Sequence, residues 1–331
     1  MDGILEWAVT ALVLAAVVPI TLWVAGALYF DACGGSRWGR AVTLAWVGCV
    51  AAAFVFWDPL WQPLVAFLGV TTAILAWWLR LKPRQDRDWE TTVAVLPRAT
   101  RTGDAITIEN VRNFEYRTLT DFTPRYDTRT VHLANLRGAD IILFNWGSPW
   151  MSHPVLVFDF GPDGRVCMSI EVRYRKGQGY SVLKSLYRQQ ELIFVVADER
   201  DAILRRTKYG KEQTAHLYRL AVAPDAVRNS FLDYIAVING LCETPRWYHG
   251  LCANCTTSFY RLPHSRRLRD WRVLANGRFD RALYDNGQLD QSLPFDELRR
   301  LALINDIVNA APEDGFGDHL RRELEKHRHE R

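Results

Sequence analysis

The sequence lacks three features that would assign it to a common class: a strong excess of one charge, a regular spacing of cysteines and an internal repeat. The formal net charge is +4 over 331 residues, which is too small to indicate a nucleic-acid-binding surface. The six cysteines show no regular framework, so they neither predict a disulfide scaffold nor identify the redox compartment. Nucleic acid is therefore not expected as a partner.

Charged residues are also missing from three long stretches near the N-terminus. Glu6 and Asp31 enclose 24 uncharged residues, Arg40 and Asp58 enclose 17, and Asp58 and Arg80 enclose 21. Each length is near the roughly 20 residues that a helix needs to cross a bilayer. The first stretch has no Lys or Arg before it and two apolar stretches after it, which is not the pattern of a cleaved signal peptide. The sequence thus predicts about three transmembrane helices.

The basic residues around these stretches predict an orientation. Arg37 and Arg40 lie in the first connecting loop, and Arg80 and Lys82 end the third stretch. The N-terminus and the loop at Asp58 contain no Lys or Arg. The positive-inside rule therefore favours a cytoplasmic location for everything after residue 80.

Residues 1–82 are accordingly predicted to be a membrane anchor, and residues 83–331 an α+β domain with a helical C-terminal extension. An amphipathic helix is predicted at residues 225–242, with Asp225 as its N-cap. Further helical structure is predicted at residues 295–311, and the tail from His319 is expected to be frayed. Strands are predicted at residues 93–97, 105–109, 128–133, 140–145 and 189–197.

A β-hairpin is predicted where residues 153–160 and 165–173 flank the turn Gly161-Pro-Asp-Gly164. Alternation gives the two strands one wholly apolar face, and an opposite, more polar face that carries His153 and Glu171. A three-residue loop sets a register in which these two residues lie directly across from each other, whereas a slip by one residue would separate them. A carboxylate there can orient an imidazole and stabilise its protonated form. The alternative is a structural histidine beside a solvated carboxylate.

Cys255 is the one readily activated nucleophile in the sequence. It lies in Trp247-Tyr-His-Gly-Leu-Cys-Ala-Asn-Cys-Thr-Thr-Ser-Phe-Tyr260, where a loop is predicted to enter a short helix, and the N-terminus of a helix favours a thiolate. Two alternatives use Cys252 and Cys255 together: a zinc site with nearby histidines, or a redox pair. The sequence has no second Cys pair, and the motif comes late for a thioredoxin-like protein, so neither is favoured. No metal or other cofactor is predicted.

A dense group of charges follows the strand predicted at residues 189–197. Its default interpretation is a solvated turn, but we favour an internal salt-bridge cluster with Arg205 or Arg206 that is structural or lies at the rim of a site. Arg173, at the end of the predicted hairpin, is placed in the same category. The four members of the charge group are Asp198, Glu199, Arg200 and Asp201.

Seven short motifs follow one another along the chain: Asp86-Arg-Asp-Trp89, Val111-Arg-Asn-Phe114, Ser152-His153, Ser169-Ile-Glu-Val-Arg173, Ala197-Asp-Glu-Arg-Asp201, Arg206-Thr207 and Asn254-Cys-Thr-Thr257. In this order they resemble the bacterial Lnb-type N-terminal periplasmic domain family, which includes a thiol-dependent lipoprotein N-acyltransferase. The resemblance covers roughly residues 86–301. Each motif alone is weak, but the ordered set is specific.

The resemblance implies a circularly permuted papain-like fold, in which an antiparallel sheet packs on a helix that bears the cysteine and the histidine strand precedes that helix. Cys255 would be the nucleophile, His153 the general base and then acid, and Glu171 the orienting partner. Asn254 and Thr256 would support the oxyanion. Cys252 departs from the family pattern, because a polar residue other than Cys is expected there.

The resemblance also implies an activity and a location. The protein would move an acyl chain from a membrane phospholipid to an amine, such as the N-terminus of a lipoprotein. It would be a multi-pass inner-membrane protein with a periplasmic catalytic domain, against the positive-inside count. Two other functions stay open: a cysteine peptidase or amidase acting on the cell wall, and a catalytically inactive membrane scaffold.

Overall fold

The computed structural model describes residues 2–146, 150–210, 213–250, 253, 258, 270–273, 276–312 and 314–329. The chain divides into two compact units. The first, which we name the helical unit, comprises Met1–Arg84 and Tyr180–Gln190. The second, the sheet unit, comprises Gln85–Gly179 and Glu191–Arg331.

Three long apolar helices form most of the helical unit. Helix α1 (Asp2–Gly26) continues into a π-helical segment (Ala27–Ala32), and is followed by α2 (Arg37–Phe56) and α3 (Trp61–Arg80). Helix α2 begins at a side-chain cap, because the backbone N–H of Gly39 donates to Ser36 Oγ at 3.1 Å. All three helices are long and apolar enough to cross a membrane, as the uncharged stretches predict.

The sheet unit is built on an eight-stranded, mostly antiparallel sheet. Its strands lie in the order β1-β2-β9-β8-β7-β6-β10, and β5 also pairs with β2. One parallel pair, Arg112 with Ala197, joins β2 to β9. Strands β3 and β4 form a separate two-stranded sheet. The strands are β1 (Arg98–Thr102), β2 (Ala105–Arg112), β3 (Glu115–Tyr116), β4 (Phe122–Thr123), β5 (Tyr126–His132), β6 (Gly138–Asn145), β7 (Ser152–Asp159), β8 (Arg165–Arg173), β9 (Glu191–Ala197) and β10 (Thr214–Arg219).

Helices cover both faces of this sheet. On one face, Phe231 and Tyr234 of α5 make edge contacts with Phe158 of β7, at centroid distances of 5.1 and 6.0 Å. On the other face, Val157 and Cys167 pack in a second core with residues of α4, α8 and α9. The helices described here are α4 (Glu199–Leu204), α5 (Pro224–Glu243), α6 (Phe279–Asp285), α7 (Phe295–Leu301), α8 (Asn305–Ala310) and α9 (Phe316–His329). The fold class is therefore a mixed helix and sheet domain that follows apolar helices in the sequence, as predicted.

The hairpin of β7 and β8 has the register that its turn predicts. Val155 pairs with Ser169, and Phe158 pairs with Val166, and the same register places His153 opposite Glu171. The apolar face is also confirmed, because its side chains belong to the first core. The opposite face is more buried than expected, since α4, α8 and α9 cover its central residues.

The C-terminal tail was expected to be frayed, and that prediction is wrong. Residues Phe316–His329 form α9, with Leu320 and Leu324 buried against the sheet. The guanidinium of Arg321 donates to the carboxylate of Asp140 on β6 and to Glu199 Oε1 in α4, the latter at 2.9 Å. These partners lie 181 and 122 residues away in sequence, so no local pattern shows that they hold the helix.

Residues 295–311 form two helices, α7 and α8, rather than one. Between them the backbone pairs with the edge strand β10: Leu217 N donates to Ala302 O at 2.8 Å, and Ile304 N donates to Ala215 O at 3.0 Å. The break therefore covers part of an edge strand, which would otherwise leave its backbone groups unpaired.

One predicted strand and the predicted start of one helix are also wrong. Residues 93–97 are not a strand, because a short helical turn at Thr91–Val93 leads into a loop before β1. Helix α5 begins after Ala223 rather than at Asp225, since Pro224 occupies its first turn.

Candidate active site

His153 and Glu171 meet across β7 and β8. His153 Nε2 lies 3.3 Å from Glu171 Oε1, and both side chains are largely buried, with 16% and 15% of their surface exposed. Ser169, which shares this face of β8, stands between them: its Oγ is 2.7 Å from His153 Nε2 and 2.6 Å from Glu171 Oε1. The hairpin thus forms a hydrogen-bonded chain of histidine, serine and glutamate.

The direction of these hydrogen bonds fixes the tautomer of neutral His153. An ionised carboxylate only accepts, so the hydroxyl of Ser169 donates its proton to Glu171. The Ser169 oxygen then accepts from the N–H of His153 Nε2. The proton on Nε2 leaves the lone pair on Nδ1, which is the nitrogen that can take a proton from another group. Glu171 therefore orients the imidazole through an intervening hydroxyl.

Arg206 keeps Glu171 ionised. Burial by itself would raise the pKa of the Glu171 carboxyl, but His153 and Arg206 outweigh burial and hold that pKa well below its usual range. Arg206 Nη2 donates to Glu171 Oε1 and lies 3.5 Å from His153 Nε2. One carboxylate oxygen thus faces a guanidinium, a hydroxyl and an imidazole. Glu171 is not the solvated charge of the alternative interpretation.

The fold holds Arg206 rigidly at this position. Its Nη1 donates to the carbonyl of Ala202 in α4 at 2.9 Å, and its guanidinium carbon lies 5.2 Å from the centroid of the Phe144 ring. Burial lowers the pKa of the guanidinium, and Glu171 opposes that shift. The sequence predicts Arg206 only as a possible partner of the charge group after β9 and as part of a family motif, not as a partner of Glu171, and it predicts no role for Ser169. Ser169 could have been found from the sequence, because strand alternation places it on the same face of the hairpin as His153 and Glu171. No local pattern predicts the contact of Arg206 with Glu171.

The charge group that follows β9 forms ion pairs, but not with the partners that were predicted. Each of its three carboxylates pairs with an arginine from a distant element, and Arg205 and Arg206 are not those partners. Asp198 also accepts from Arg200 N at 2.8 Å, as the N-cap of α4. The pairs are Asp201 with Arg112 at 2.6 Å, Asp198 with Arg129 at 2.5 Å, and Glu199 with Arg321 at 2.9 Å.

Arg173 holds the start of the sheet unit against the end of β8. Its guanidinium donates to Val93 O at 3.1 Å and to Ala94 O at 2.6 Å, and it lies 4.3 Å from the centroid of the Trp89 ring. Burial lowers the pKa of this guanidinium to about 10. These contacts are structural, since they join β8 to the segment that leads in from Gln85.

Cys255, Asn254, Thr256 and Cys252 lie outside the described residues. The described chain approaches them through His249 and Ala253, whose backbone groups exchange hydrogen bonds of 3.2 and 2.8 Å. The part of the chain that is described contains no group of three His, Cys, Asp or Glu side chains arranged for a metal ion.

Two exposed tryptophans lie close to the start of β7. Trp150 and Trp271 are 49% and 60% exposed, and their ring centroids are 6.5 Å apart. Arg278 stacks over Trp150 at 4.9 Å. Trp150 precedes His153 by three residues in the sequence, so an apolar, cation-flanked surface adjoins the strand of the histidine.

One of three comparisons with known proteins returned a match. Searches of curated proteins and of solved structures returned no match. The family model described as the Lnb N-terminal periplasmic domain matches residues 122–277, a range that includes His153, Glu171, Arg206 and Cys255. With three helices able to cross a membrane, the chain is a membrane protein that carries a domain of periplasmic type. Residues 122–277 match the model of the Lnb N-terminal periplasmic domain family, and this match confirms the resemblance for the five ordered motifs that lie in that range.

Proposed function

We propose that the protein is a membrane-anchored thiol acyltransferase with Cys255 as nucleophile, His153 as general base and acid, and Glu171 as the orienting carboxylate. The observation that carries this proposal is the chain from His153 through Ser169 to Glu171, because it leaves the lone pair on Nδ1 of the imidazole. The match of residues 122–277 to the Lnb family supports the same assignment.

The first half of the proposed reaction acylates the enzyme. His153 takes the proton of the Cys255 thiol, and the thiolate adds to the carbonyl carbon of a phospholipid ester. Backbone N–H groups at the start of the helix that the sequence predicts at Cys255 would stabilise the oxyanion, with Asn254 and Thr256 in support. The carbon–oxygen bond to glycerol then breaks, and the leaving oxygen takes the proton from His153. The products are a lysophospholipid and a thioester on Cys255.

The second half transfers the acyl chain. An amine, such as the N-terminus of a lipoprotein, adds to the thioester carbon and gives its proton to His153. The carbon–sulfur bond breaks, and an amide and the Cys255 thiolate form. Throughout the cycle, Glu171 and Arg206 act on the imidazole: the carboxylate stabilises its protonated form, and the guanidinium prevents the carboxylate from taking the proton itself.

A membrane phospholipid is the acyl donor that best fits a membrane-anchored protein. The helical unit holds the protein at the bilayer, and the exposed pair Trp150 and Trp271 offers an apolar surface beside the strand of His153. Indole rings favour the membrane–water interface, where the ester bonds of phospholipids lie. We place the protein in the inner membrane as a multi-pass protein, with its catalytic domain in the periplasm, where the name of the family locates the domain.

The decisive experiment is lipoprotein N-acylation in a bacterial strain without other N-acyltransferases. Cys255→Ala and His153→Ala should each abolish N-acylation, whereas Cys49→Ala and His132→Ala should retain it. Cys49 is exposed on α2, and His132 pairs with Asp163 at the surface, so these controls remove the same chemical groups elsewhere. Retained acylation in either site variant contradicts the proposal.

The same variants separate the two other functions. A cell-wall peptidase or amidase would release muropeptide fragments, and Cys255→Ala would stop that release without any effect on lipoproteins. A scaffold would be fully functional as Cys255→Ala, so complete complementation of a deletion strain by this variant excludes both enzymes.

The side of the membrane needs its own measurement, since the arginine count favours the cytoplasm. A reporter that is active only after export, fused after residue 90, should be active if the sheet unit is periplasmic. A reporter active only in the cytoplasm, fused at the same residue, should be silent. The reverse pattern refutes the periplasmic location.

A further inference from the structure

The segment Tyr180–Gln190 belongs to the helical unit although it connects two strands of the sheet unit. It lies between β8 and β9, and it contains one short helical turn at Lys184–Leu186. Its sequence, Tyr-Ser-Val-Leu-Lys-Ser-Leu-Tyr-Arg-Gln-Gln, mixes aliphatic, aromatic and basic residues. We name it the β8–β9 segment.

The C-terminal half of this segment is fixed to the end of the first span. The Tyr187 ring lies 5.2 Å from the Phe30 ring, and its hydroxyl occupies the space that a Cβ at Gly26 would fill. Gln189 Nε2 donates to Phe30 O at 3.0 Å and to Asp31 Oδ1 at 2.6 Å. The π-helical segment Ala27–Ala32 supplies both acceptors.

The same half also contacts the end of the third span. The Arg188 guanidinium carbon lies 4.2 Å from the centroid of the Trp78 ring, and its Nη1 donates to Leu81 O at 3.3 Å. Trp78 Nε1 donates to Asp31 Oδ2 at 2.7 Å. One carboxylate, that of Asp31, therefore joins the first span, the third span and the β8–β9 segment.

These contacts define the depth of the segment in a membrane. The candidate spans are Trp7–Ala32, Arg37–Phe56 and Trp61–Arg80, so Phe30, Asp31 and Trp78 belong to the last turns of the first and third spans. Three consecutive spans alternate in direction, which puts these two ends on the same side of the bilayer. Indole and guanidinium groups at the ends of spans lie at the headgroup layer. The β8–β9 segment therefore lies at that layer.

The N-terminal half of the segment presents apolar side chains outward. Val182 and Leu183 are 58% and 55% exposed, and Tyr180 is 39% exposed, whereas Ser185 is fully buried. Aliphatic side chains at headgroup depth gain free energy by entering lipid, and neighbouring cations such as Lys184 attract anionic headgroups. Because this patch adjoins the span ends, its occupant is the bilayer itself.

We propose that the β8–β9 segment is a membrane-insertion segment, which inserts Val182 and Leu183 among the phospholipids of the leaflet at which the first and third spans end. This inference does not depend on the proposed acyltransferase activity. It adds a fourth contact with the bilayer, from a connection between two strands rather than from a spanning helix.

The test measures lipid contact at single positions of the full-length protein in phospholipid nanodiscs. An environment-sensitive fluorescent amino acid replaces Leu183 in one sample and Leu119 in the matched control. Leu119 is 48% exposed in the sheet unit, a fraction close to the 55% of Leu183. Phospholipids that carry a quencher near the glycerol end of the acyl chain should remove more than about half of the emission at residue 183, since interfacial segments enter roughly 5–10 Å below the headgroups. Emission at residue 119 should be unaffected.

A second variant separates insertion from simple proximity. With the fluorophore at residue 182, Leu183→Asp should restore the quenched emission and shift it to longer wavelength, while the thermal unfolding temperature stays unchanged. Equal quenching at residues 183 and 119 overturns the proposal. So does emission at residue 183 that ignores the lipid quencher but changes with protein concentration, because that result identifies a second copy of the protein as the occupant.

Discussion

Replacing Glu171 by Gln should cause a large loss of stability, because it leaves a buried cation without its counter-charge. Gln keeps the shape and the acceptor oxygen of Glu171 but not the charge that faces Arg206, whose side chain is 7% exposed. The other acceptor of Arg206 among the described residues is the carbonyl of Ala202, which is also neutral. Breaking a buried ion pair by removing one charge costs about 3–5 kcal/mol, and a guanidinium cannot escape this cost by releasing its proton.

The loss can be measured as a change in the thermal unfolding temperature of the full-length protein in detergent. For a unit of this size each kcal/mol lowers that temperature by roughly 2–4 °C, so Glu171→Gln should lower it by about 6–20 °C. Asp121→Asn is the matched control. It neutralises the carboxylate of the pair Arg117–Asp121, whose side chains are each 58% exposed, and it should produce no resolvable change because exposed ion pairs contribute little.

The reciprocal variant Arg206→Met should behave differently, because a buried carboxylate can take up a proton. In the native protein the pKa of Glu171 is held below its usual 4.5, so the ionised carboxylate contributes stability above pH 4.5 that is lost as the pH falls through the lower folded pKa. Without Arg206 that pKa is lowered mainly by His153 and lies closer to its usual value, so the variant should lose less stability than the native protein as the pH falls from 7 to 4. The double variant Glu171→Gln, Arg206→Met should recover most of the loss. An unfolding temperature of Glu171→Gln within about 2 °C of the native protein refutes the buried pair.

Three further predictions concern residues away from this pair. Burial lowers the pKa of His216 to about 4 from its usual 6.5, so stability should fall as the pH drops from 6.5 towards 4, by about 2 kcal/mol at pH 5. The variant His216→Leu should therefore show a smaller drop in unfolding temperature between pH 7 and pH 5 than the native protein. An equal drop in the two proteins contradicts the assignment. Arg321→Ala should remove the ion pair of Glu199 and leave Asp140 with Arg219 as its partner, and it should speed hydrogen exchange throughout α9; unchanged exchange would show that apolar packing alone holds the helix. Burial raises the pKa of the Cys167 thiol well above its usual range, so iodoacetamide should not modify Cys167 in the folded protein, and mass spectrometry of the labelled peptides detects any failure.

Elements that depend on local signals could be predicted from the sequence. The turn Gly161-Pro-Asp-Gly164 determines the register of β7 and β8, because strand pairing propagates from the turn. The contact between His153 and Glu171 follows from that register alone. The apolar stripe of α5 and the three spans could also be predicted, since each depends on the periodicity or the length of one continuous segment.

Features that depend on distant partners could not be predicted. The polar face of the hairpin is largely buried because α4, α8 and α9 cover it, and α9 is held by contacts with residues more than 100 positions earlier in the chain. The β8–β9 segment groups with the helical unit through Asp31, whose bond to Gln189 spans 158 residues. Neither the alternation of polar and apolar residues nor their charge predicts such contacts, because the sequence pattern is the same whether a polar side chain faces solvent or a distant partner.

Helix α4 links these distant contacts to the candidate site. It has six residues, too few to be stable in isolation, yet it and its N-cap Asp198 together carry three anchored carboxylates, and it leads directly to Arg206. Each anchor joins it to a different element: Arg112 of β2, Arg129 of β5 and Arg321 of α9. Because α4 is fixed on three sides, the guanidinium of Arg206 meets Glu171 with little freedom, and Glu171 in turn fixes the imidazole of His153 through Ser169. The charge group after β9 is thus neither a solvated turn nor a separate feature, but the support through which the sheet unit as a whole determines the orientation of one histidine.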